Sequence, residues 1–255
     1  MEAAEIAVKN YLMESNLVPL DIIIPVYNEG QNIVDVLDSF KIYVHTKFRV
    51  LICYDQDKDN TLPVIKAYSS EFKIITIKNK GKGVHGAIIT GFDSSLADCV
   101  IVFPADDTYN APILDKMYDK FREGNDIVAA SRFMKGGRME GCPLLKSALV
   151  RTASFTLFWF SSIPIRDASN GFRLFSRRTL DTILIESQYG FTYSLELLVK
   201  THRLKWKIGE VPSSWFERTK GVSRFQVIKW LPHYVRWYLY GFGTTWLQLK
   251  NVKQK

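Results

Sequence analysis

Short apolar runs recur along the first half of the chain, and polar residues follow most of them. The runs are rich in isoleucine and valine, which favours strands that are buried on both faces of a sheet. They lie at 20–26, 50–54, 73–77, 99–103 and 127–130. The residues between them have helical periodicity, as at 32–40, where Ile33, Leu37 and Phe40 fall on one face. Alternating strands and helices predict an α/β fold with a mostly parallel central sheet flanked by helices.

The regular alternation of strands and helices ends after residue 133, and the glycine-containing stretch at 135–143 is typical of a loop. Strands are predicted at 172–175 and 208–211, and helices at 144–160 and 194–204. No linker rich in glycine or serine interrupts the chain, so one domain at 19–224 fits best. We expect it to have a first half at 19–131 and a second half at 132–224, with an N-terminal extension at 1–18 and an amphipathic, aromatic tail at 225–255.

Composition narrows the class of protein. With 255 residues, 47% hydrophobic and 24% charged, the chain is neither disordered nor collagen-like nor a coiled coil. Its three cysteines lack metal-ligand spacing, which argues against a disulfide framework or a zinc site and favours a reducing compartment. The first twenty residues have no long apolar stretch, and the longest uncharged stretch, 152–165, is too short for a membrane span. We therefore expect a cytoplasmic protein without a transmembrane helix.

The net charge of +8 favours a polyanionic partner, namely nucleic acid, nucleotide phosphates or an anionic membrane. Charge alone does not choose among them. A local excess of basic residues at 132–166 marks an anion site more closely, with a solvated helix face as the alternative. The basic residues are Arg132, Lys135, Arg138, Lys146, Arg151 and Arg166, against the single acid Glu140. A second basic loop at 218–224 contains Arg218 and Arg224 and is able to fold over phosphates.

Polar clusters follow four of the predicted strands, at 25–30, 54–59, 79–83 and 104–107. Because ligands bind beyond the carboxyl ends of parallel strands, we expect these clusters to converge on one edge of the sheet. The adjacent carboxylates Asp106 and Asp107 repel each other unless a cation lies between them, and hard oxygen ligands suit Mg²⁺ or Mn²⁺. The alternative for Asp107 is a helix cap. The loop at 79–83 has neither P-loop nor dinucleotide-binding spacing.

The tail at 225–249 is dense in aromatic residues, with basic residues between them. Trp230, Trp237 and Trp246 alternate with Lys229 and Arg236, a composition that suits a membrane interface. We expect this tail to hold the protein on a membrane surface without spanning it, with its aromatic side chains at headgroup depth. The alternative is a helix that packs on its own domain or on a second subunit, which would make the protein a homo-oligomer.

With these residues assembled, the chain resembles glycosyltransferase family 2, and within it the polyprenyl-phosphate (dolichol-phosphate mannosyltransferase-like) branch. The motifs that carry the resemblance are IPVYNE at 24–29, YDQDKDNT at 54–61, NKGKG at 79–83, PADD at 104–107, SRF at 131–133, SNGFR at 169–173 and EVP at 210–212. The sequence departs from the family pattern at Tyr54 and Gln56, and at Pro104, which replaces the first aspartate of the DXD metal motif.

The resemblance implies a nucleotide-diphospho-sugar transferase fold, with a nucleotide-sugar half at 19–131 and an acceptor half at 132–224. It implies inverting transfer of a hexose from a GDP- or UDP-linked sugar to a polyprenyl phosphate, by a protein peripherally associated with the membrane and without a nucleic-acid partner. The implied nucleotide-sugar ligands are Pro25, Tyr27, Asn28, Glu29, Asp55, Lys82, Asp106 and Asp107, the last two also binding Mg²⁺ or Mn²⁺. The implied catalytic residues are Asp106, Arg218 and Arg224, and the implied acceptor-phosphate ligands are Arg132, Lys146, Arg151 and Ser169.

Two alternatives to this function remain at the sequence level. The first keeps the fold but transfers sugar to a glycan hydroxyl, which requires a carboxylate as general base. The second is a different class of protein, either a nucleotidyltransferase or a basic nucleic-acid-binding protein, for which steep salt dependence of binding would be diagnostic.

Overall fold

The computed structural model describes residues 18–216 and 227–255. Its strands are β1 (Leu20–Val26), β2 (Phe48–Tyr54), β3 (Lys73–Lys78), β4 (Cys99–Val102), β5 (Ile127–Ser131), β6 (Arg138–Glu140), β7 (Arg173–Ser176), β8 (Ile208–Pro212) and β9 (Ser214–Phe216). Its helices are α1 (Ile33–Tyr43), α2 (Thr61–Ala67), α3 (Gly83–Ser94), α4 (Leu114–Arg122), α5 (Leu144–Phe160), α6 (Arg177–Thr182), α7 (Thr192–Arg203) and α8 (Val227–Trp246), and a 3₁₀ turn at Ala111–Ile113 precedes α4.

Seven strands form one sheet in the order β3-β2-β1-β4-β7-β5-β8, and β6 pairs with β9 in a separate ribbon. Strands β1 to β4 pair in parallel, as do β5 and β8, whereas β7 runs antiparallel to both of its neighbours. The predicted mostly parallel sheet is therefore confirmed. Because β1 to β4 point the same way, their carboxyl ends open on one edge, where ligands bind in such sheets.

Each of the seven predicted strands is present, with ends that fall within two residues of the prediction. The helix predicted at 144–160 matches α5, and the one at 194–204 overlaps α7. The stretch at 135–143, which the pattern predicts as a loop, contains β6, and β9 has no counterpart among the predicted strands. These two short strands are distant in sequence and pair only in the folded chain.

Helices cover both faces of the sheet, and the side chains of β1 alternate between the two layers. Ile22 and Ile24 pack in the layer of α1 and α4, whereas Ile23 packs in the layer of α3, α5, α7 and α8. All three isoleucines are 0% exposed. A run of consecutive apolar residues is what a strand needs when water reaches neither of its faces.

Helix α8 packs on its own domain through one of its faces. Trp237 is 1% exposed and belongs to the same core layer as α7, with Tyr234 and Tyr238 packed against that layer. The expectation that the tail's aromatic side chains lie at headgroup depth is therefore wrong for Trp237. For this face the alternative holds, a helix that packs on its own domain. The side chains of Lys229 and Trp230 lie outside the described part of the chain.

After α8 the chain turns back along the segment that follows α6. The Leu184 amide donates to the Lys253 carbonyl, and the Lys255 amide donates to the Thr182 carbonyl, both at 3.1 Å. The last residues are thus fastened to the domain by backbone hydrogen bonds. Within 18–216 and 227–255, no helix is both long and apolar enough to cross a bilayer.

Candidate active site

The loops that follow β1 and β2 are tied together by hydrogen bonds. Asn28 has a left-handed φ of 58°, a conformation that asparagine tolerates better than most residues, and its amide donates to Asp59 Oδ2 at 3.0 Å. The next two amides donate to side-chain oxygens of Thr61 and Asn60. A Cβ atom at Gly30 would lie 2.8 Å from the Asn60 carbonyl oxygen, so this close approach requires glycine. The two loops therefore form one rigid surface at the carboxyl edge of the sheet.

Asp55 fastens the basic glycine loop at 79–83 to this surface. One of its carboxylate oxygens accepts from Asn79 Nδ2, and the other accepts from the Gly83 amide at 3.0 Å. Asn79 in turn accepts from the Gly81 amide at 2.8 Å. The loop is held by these bonds while the side chain of Lys82 remains exposed just before α3. The predicted contact of Asp55 with a nucleotide base stays a prediction, and the structure adds this supporting role.

The remaining predicted nucleotide ligands lie on the same edge. Pro25 is the second-last residue of β1, and Tyr27, which follows that strand, is 40% exposed. Glu29 Oε2 accepts from Asn32 Nδ2 at 2.8 Å, at the start of α1. The edge therefore presents a mixed aromatic, amide and carboxylate surface next to a basic loop.

The acidic turn after β4 gives its two aspartates different surroundings. The Asp107 carboxylate accepts from the Tyr109 and Asn110 amides, both at 2.9 Å, and from Asn110 Nδ2 at 2.6 Å. Burial raises the pKa of Asp107 above its usual value, the charge of Asp106 adds to the shift, and the bonds from Asn110 oppose it. Asp107 thus stabilises the turn itself and does not cap a helix, because the 3₁₀ turn begins after Asn110 and α4 begins after Ile113. The Asp106 side chain is exposed.

The short strand β9 connects this turn to the second half of the chain. Asn110 Nδ2 donates to the Ser214 carbonyl at 2.6 Å, and the Ser214 amide donates back to Asn110 Oδ1 at 2.9 Å. The ring centroids of Tyr109 and Phe216 lie 4.6 Å apart. On the same strand, the Trp215 ring centroid is 5.0 Å from Lys146 Nζ of α5. One strand therefore contacts both the acidic turn and the helix that carries predicted acceptor ligands.

Asp167 organises the acceptor side. Its carboxylate accepts from Arg132 Nε at 2.7 Å, from Arg132 Nη2 at 2.9 Å and from the Arg132 amide at 3.0 Å. Ser169 Oγ and the Asn170 amide donate to the same carboxylate at 2.9 Å and 3.2 Å. Burial alone would raise the pKa of Asp167, but the Arg132 guanidinium and these hydrogen bonds hold it below its usual value. Arg132 is accordingly an oriented, charge-paired cation.

The Phe133 ring lies close to two guanidinium groups on this side. Arg132 Cζ lies 5.1 Å from the ring centroid and Arg151 Cζ lies 4.8 Å from it, both within range of a cation–π contact. Arg132 Nη2 also donates to Ser169 Oγ at 2.7 Å. Of the four predicted acceptor ligands, Arg132 and Arg151 thus lie near Phe133, Ser169 is bonded to Arg132, and Lys146 contacts β9.

Most of the predicted site residues are in the described part of the chain, but Arg218 and Arg224 lie outside it. The chain enters their segment from Phe216, next to the acidic turn. The residues that sequence reasoning missed are Asp167, Asn110 and the strand β9. Asp167 carried a signal, since it is an acid at the end of a strongly basic stretch. Asn110 and β9 carried none, because their partners are distant in sequence.

The carboxylates at the acidic turn suit a divalent cation bound together with a substrate. Mg²⁺ is usually held by one or two carboxylates plus phosphate oxygens and water, rather than by a full cage of side chains. In the described residues, no three His, Cys, Asp or Glu side chains are grouped closely enough to hold a metal ion. Asp106 fits such a cation as a single hard oxygen ligand, and the other ligands would have to come from phosphate and water.

Comparison with known proteins places the chain in a family. The model of the family described as Glycosyl transferase family 2 matches residues 21–184. A dolichol-phosphate mannosyltransferase from Pyrococcus furiosus is 25% identical over 226 residues, which cover 85% of this chain and 63% of that protein. A UDP-N-acetylglucosamine–dolichyl-phosphate N-acetylglucosaminyltransferase from Methanococcus voltae is 29% identical over 211 residues, 75% of this chain and 83% of that protein. The chain thus spans less than two thirds of the first relative.

Solved structures share the fold. Glucosyl-3-phosphoglycerate synthase from Mycobacterium tuberculosis, in complex with Mn²⁺, UDP and glucosyl-3-phosphoglycerate, has a TM-score of 0.65 at 14% identity, over 89% of this chain and 80% of that one. The same enzyme with Mg²⁺ and UDP has a TM-score of 0.63 at 16% identity, over 89% and 79%. These similarities confirm the predicted transferase fold, and the family match confirms the resemblance.

Proposed function

The chain belongs to glycosyl transferase family 2, and from that premise we propose that it transfers a hexose, with inversion, from a nucleotide diphosphate sugar to polyprenyl phosphate. The donor is GDP- or UDP-linked. The proposal is supported by relatives named for dolichyl and dolichol phosphate and by a site with separate donor and acceptor sides. The same family membership argues against a nucleotidyltransferase or a nucleic-acid-binding protein.

The observation that carries the proposal is the double contact of β9. Through Ser214 this strand is bonded to the acidic turn, and through Trp215 it contacts Lys146 on the acceptor side. A transferase must hold two substrates so that their reacting atoms meet, and fixing both sides through one short strand achieves that orientation. We propose that residues 19–131 form the donor half and residues 132–224 the acceptor half.

On the donor side, Asp106 would hold a divalent cation, Mg²⁺ or Mn²⁺, that neutralises charge on the leaving diphosphate. Asn28, Glu29 and the loops fastened by Asp55 would surround the nucleotide. Arg218 and Arg224 would add positive charge over the diphosphate, in a segment that the chain enters beside the acidic turn. Catalysis would then consist of orientation and charge neutralisation.

The acceptor side favours a phosphate over a glycan hydroxyl. A hydroxyl acceptor needs a carboxylate that removes its proton, whereas a phosphate oxygen is already ionised near neutral pH. Asp167 is 0% exposed and its oxygens accept five hydrogen bonds, so it is not placed to act as that base. Arg132, Arg151 and Lys146 instead offer cations for a phosphate, with Ser169 as a further hydrogen-bonding group. We therefore propose a location on the cytoplasmic surface of a membrane.

Incubation with a panel of GDP- and UDP-linked sugars, polyprenyl phosphate and Mn²⁺ or Mg²⁺ tests the proposal. We expect mass spectrometry to detect one glycosylated lipid phosphate, with its anomeric configuration inverted. Asp106→Asn should lower turnover about 100-fold or more, because a charged ligand near the leaving group is lost. Asp98→Asn, at the opposite end of the same strand, is the matched control and should leave turnover unchanged.

Two outcomes would contradict the proposal. Glycosylation of a glycan hydroxyl without any glycosylated phosphate would favour the hydroxyl alternative. Full turnover by Asp106→Asn at limiting Mn²⁺ would remove Asp106 from the cation site.

A further inference from the structure

Helix α5 turns apolar side chains toward solvent. Leu145 is 74% exposed, Phe155 is 56% exposed and Trp159 is 64% exposed. With 3.6 residues per turn, these residues fall on one side of the helix. The opposite side packs into the domain and carries Ser154, which is 0% exposed. The buried side also carries Leu157, which is 1% exposed and packs in the core layer. The helix is therefore apolar on both sides, whereas a surface helix normally turns polar residues to solvent.

The exposed side chains continue from α5 to the end of α8. Trp246, which is 66% exposed, donates from Nε1 to the Phe160 carbonyl at 2.7 Å. The ring of Phe155 lies 6.4 Å from that of Phe160 and 6.3 Å from that of Trp159. We call this surface the outer face. It consists of Leu144, Leu145, Phe155, Trp159, Phe160 and Trp246.

The charges around the outer face are basic. Helix α5 contains no aspartate or glutamate, and its two charged residues, Lys146 and Arg151, are cations. Both belong to the proposed acceptor side, so the helix that would bind a lipid phosphate also carries the outer face. Tryptophan, phenylalanine and leucine beside lysine and arginine are the composition of helices that lie in a membrane interface.

We propose that the outer face docks the protein on a bilayer containing anionic lipid, with α5 lying in the plane of the interface. This inference rests on the proposed lipid acceptor only to explain what docking is for, because docking itself requires no sugar transfer. It moves the membrane contact from the tail's Trp237, which the domain buries, to α5 and the last turn of α8. A prenyl chain could then stay in the bilayer while its phosphate reaches the basic residues on α5.

Vesicle flotation of the full chain, without any donor sugar, tests docking. The outer variant Leu145→Gln/Phe155→Ser/Trp159→Gln removes three exposed apolar side chains. The matched control Ile42→Gln/Tyr43→Gln/Leu96→Gln removes three that are also exposed, at 64%, 45% and 42%, but lie away from the outer face. On vesicles of phosphatidylcholine and phosphatidylglycerol we expect the outer variant to bind about 10-fold or more weakly than wild type. The control should bind like wild type.

Equal binding by the outer variant and the control would overturn the proposal. So would a wild-type dimer that the outer variant converts to a monomer in analytical ultracentrifugation, because the face would then join two copies of the chain. The single change Trp159→Gln serves if the triple variant does not fold. Transfer to a short, water-soluble prenyl phosphate separates the two proposals. If the wild-type protein does not transfer sugar to this soluble acceptor, the proposed function is contradicted. The docking proposal is decided by the flotation result alone.

Discussion

The carboxylate of Asp167 is closed to solvent and is bonded to Arg132, Ser169 and Asn170. A buried ion pair gives little net stability when both charges are present, but leaving one charge unpaired is costly. The Arg132 side chain is only 9% exposed, so water cannot replace the missing partner. The network therefore fixes the direction of the guanidinium rather than adding much free energy of folding.

Replacing Asp167 by asparagine should lower the free energy of unfolding by about 3–5 kcal/mol, because Arg132 keeps its charge without a counterion. Urea denaturation at pH 7 measures this change. Asp181→Asn is the control, since Asp181 is 63% exposed and pairs with Arg177 at 3.5 Å, and it should cost less than about 1 kcal/mol. A cost for Asp167→Asn no larger than that of the control would show that Arg132 is held by other contacts.

The single exposed carboxylate of Asp106 makes cation binding depend on the nucleotide. We expect Mn²⁺ to bind weakly to the protein alone and at least about 10-fold more tightly when UDP or GDP is present, since phosphate oxygens supply further ligands. Water-proton relaxation or isothermal titration measures both affinities. Asp106→Asn should remove most of the enhancement. Tight Mn²⁺ binding without nucleotide would contradict this arrangement, as would the same enhancement in the variant.

Among the elements, the C-terminal segment depends on one carboxylate. Glu186 accepts from Lys200 at 2.9 Å, from Arg236 of α8 at 3.0 Å and from Lys253 at 2.9 Å. Burial alone would raise the pKa of Glu186, but the hydrogen bonds from Lys253 and Lys200 and the nearby positive charges lower it to about 2. Because this value is below the ordinary 4.5, the stabilisation is complete above pH 4.5 and is lost as the pH falls toward 2.

Glu186→Gln should therefore lower the melting temperature at pH 7, and the difference from wild type should shrink as the pH falls from about 4.5 toward about 2. Thermal unfolding followed by circular dichroism measures it. Glu123→Gln, which removes an exposed pair with Lys120, is the control and should change the melting temperature little at pH 7 or at the lower pH values. A constant difference across this pH range would mean that Glu186 acts through packing rather than charge.

Elements with their own periodic pattern could be predicted from the sequence, and elements defined by a distant partner could not. The buried strand β4 is a continuous apolar run, β1 is apolar except for Asp21, and α5 spans the same residues as the predicted helix. Strands β6 and β9 are three residues each, and what makes them strands is their pairing with each other. The same holds for the site. The sequence places Arg132 and Asp106, but the bonds of Asp167 to Arg132 and of Asn110 to β9 exist only after folding.

At the scale of the whole molecule, the sequence indicates a basic chain with an aromatic tail but not which surface faces a membrane. The outer face is formed by α5 and the end of α8, two helices that are separated in the sequence by residues 161–226. The buried side of α8 and its exposed side have similar compositions, so composition alone could not distinguish the packed Trp237 from the exposed Trp246. Packing on the sheet decides between them.

The position of β7 between β4 and β5 bears on how the chain is made. A nascent chain that has emerged as far as Ser131 holds β1 to β5, yet β5 cannot join the growing sheet until Arg173–Ser176 leave the ribosome. At about 5–20 residues per second, that wait lasts roughly 2–9 s. Until then, β4 offers an open edge to which other chains or a chaperone can bind. Synthesis therefore sets the order of assembly, with the donor loops built early and the sheet closed late.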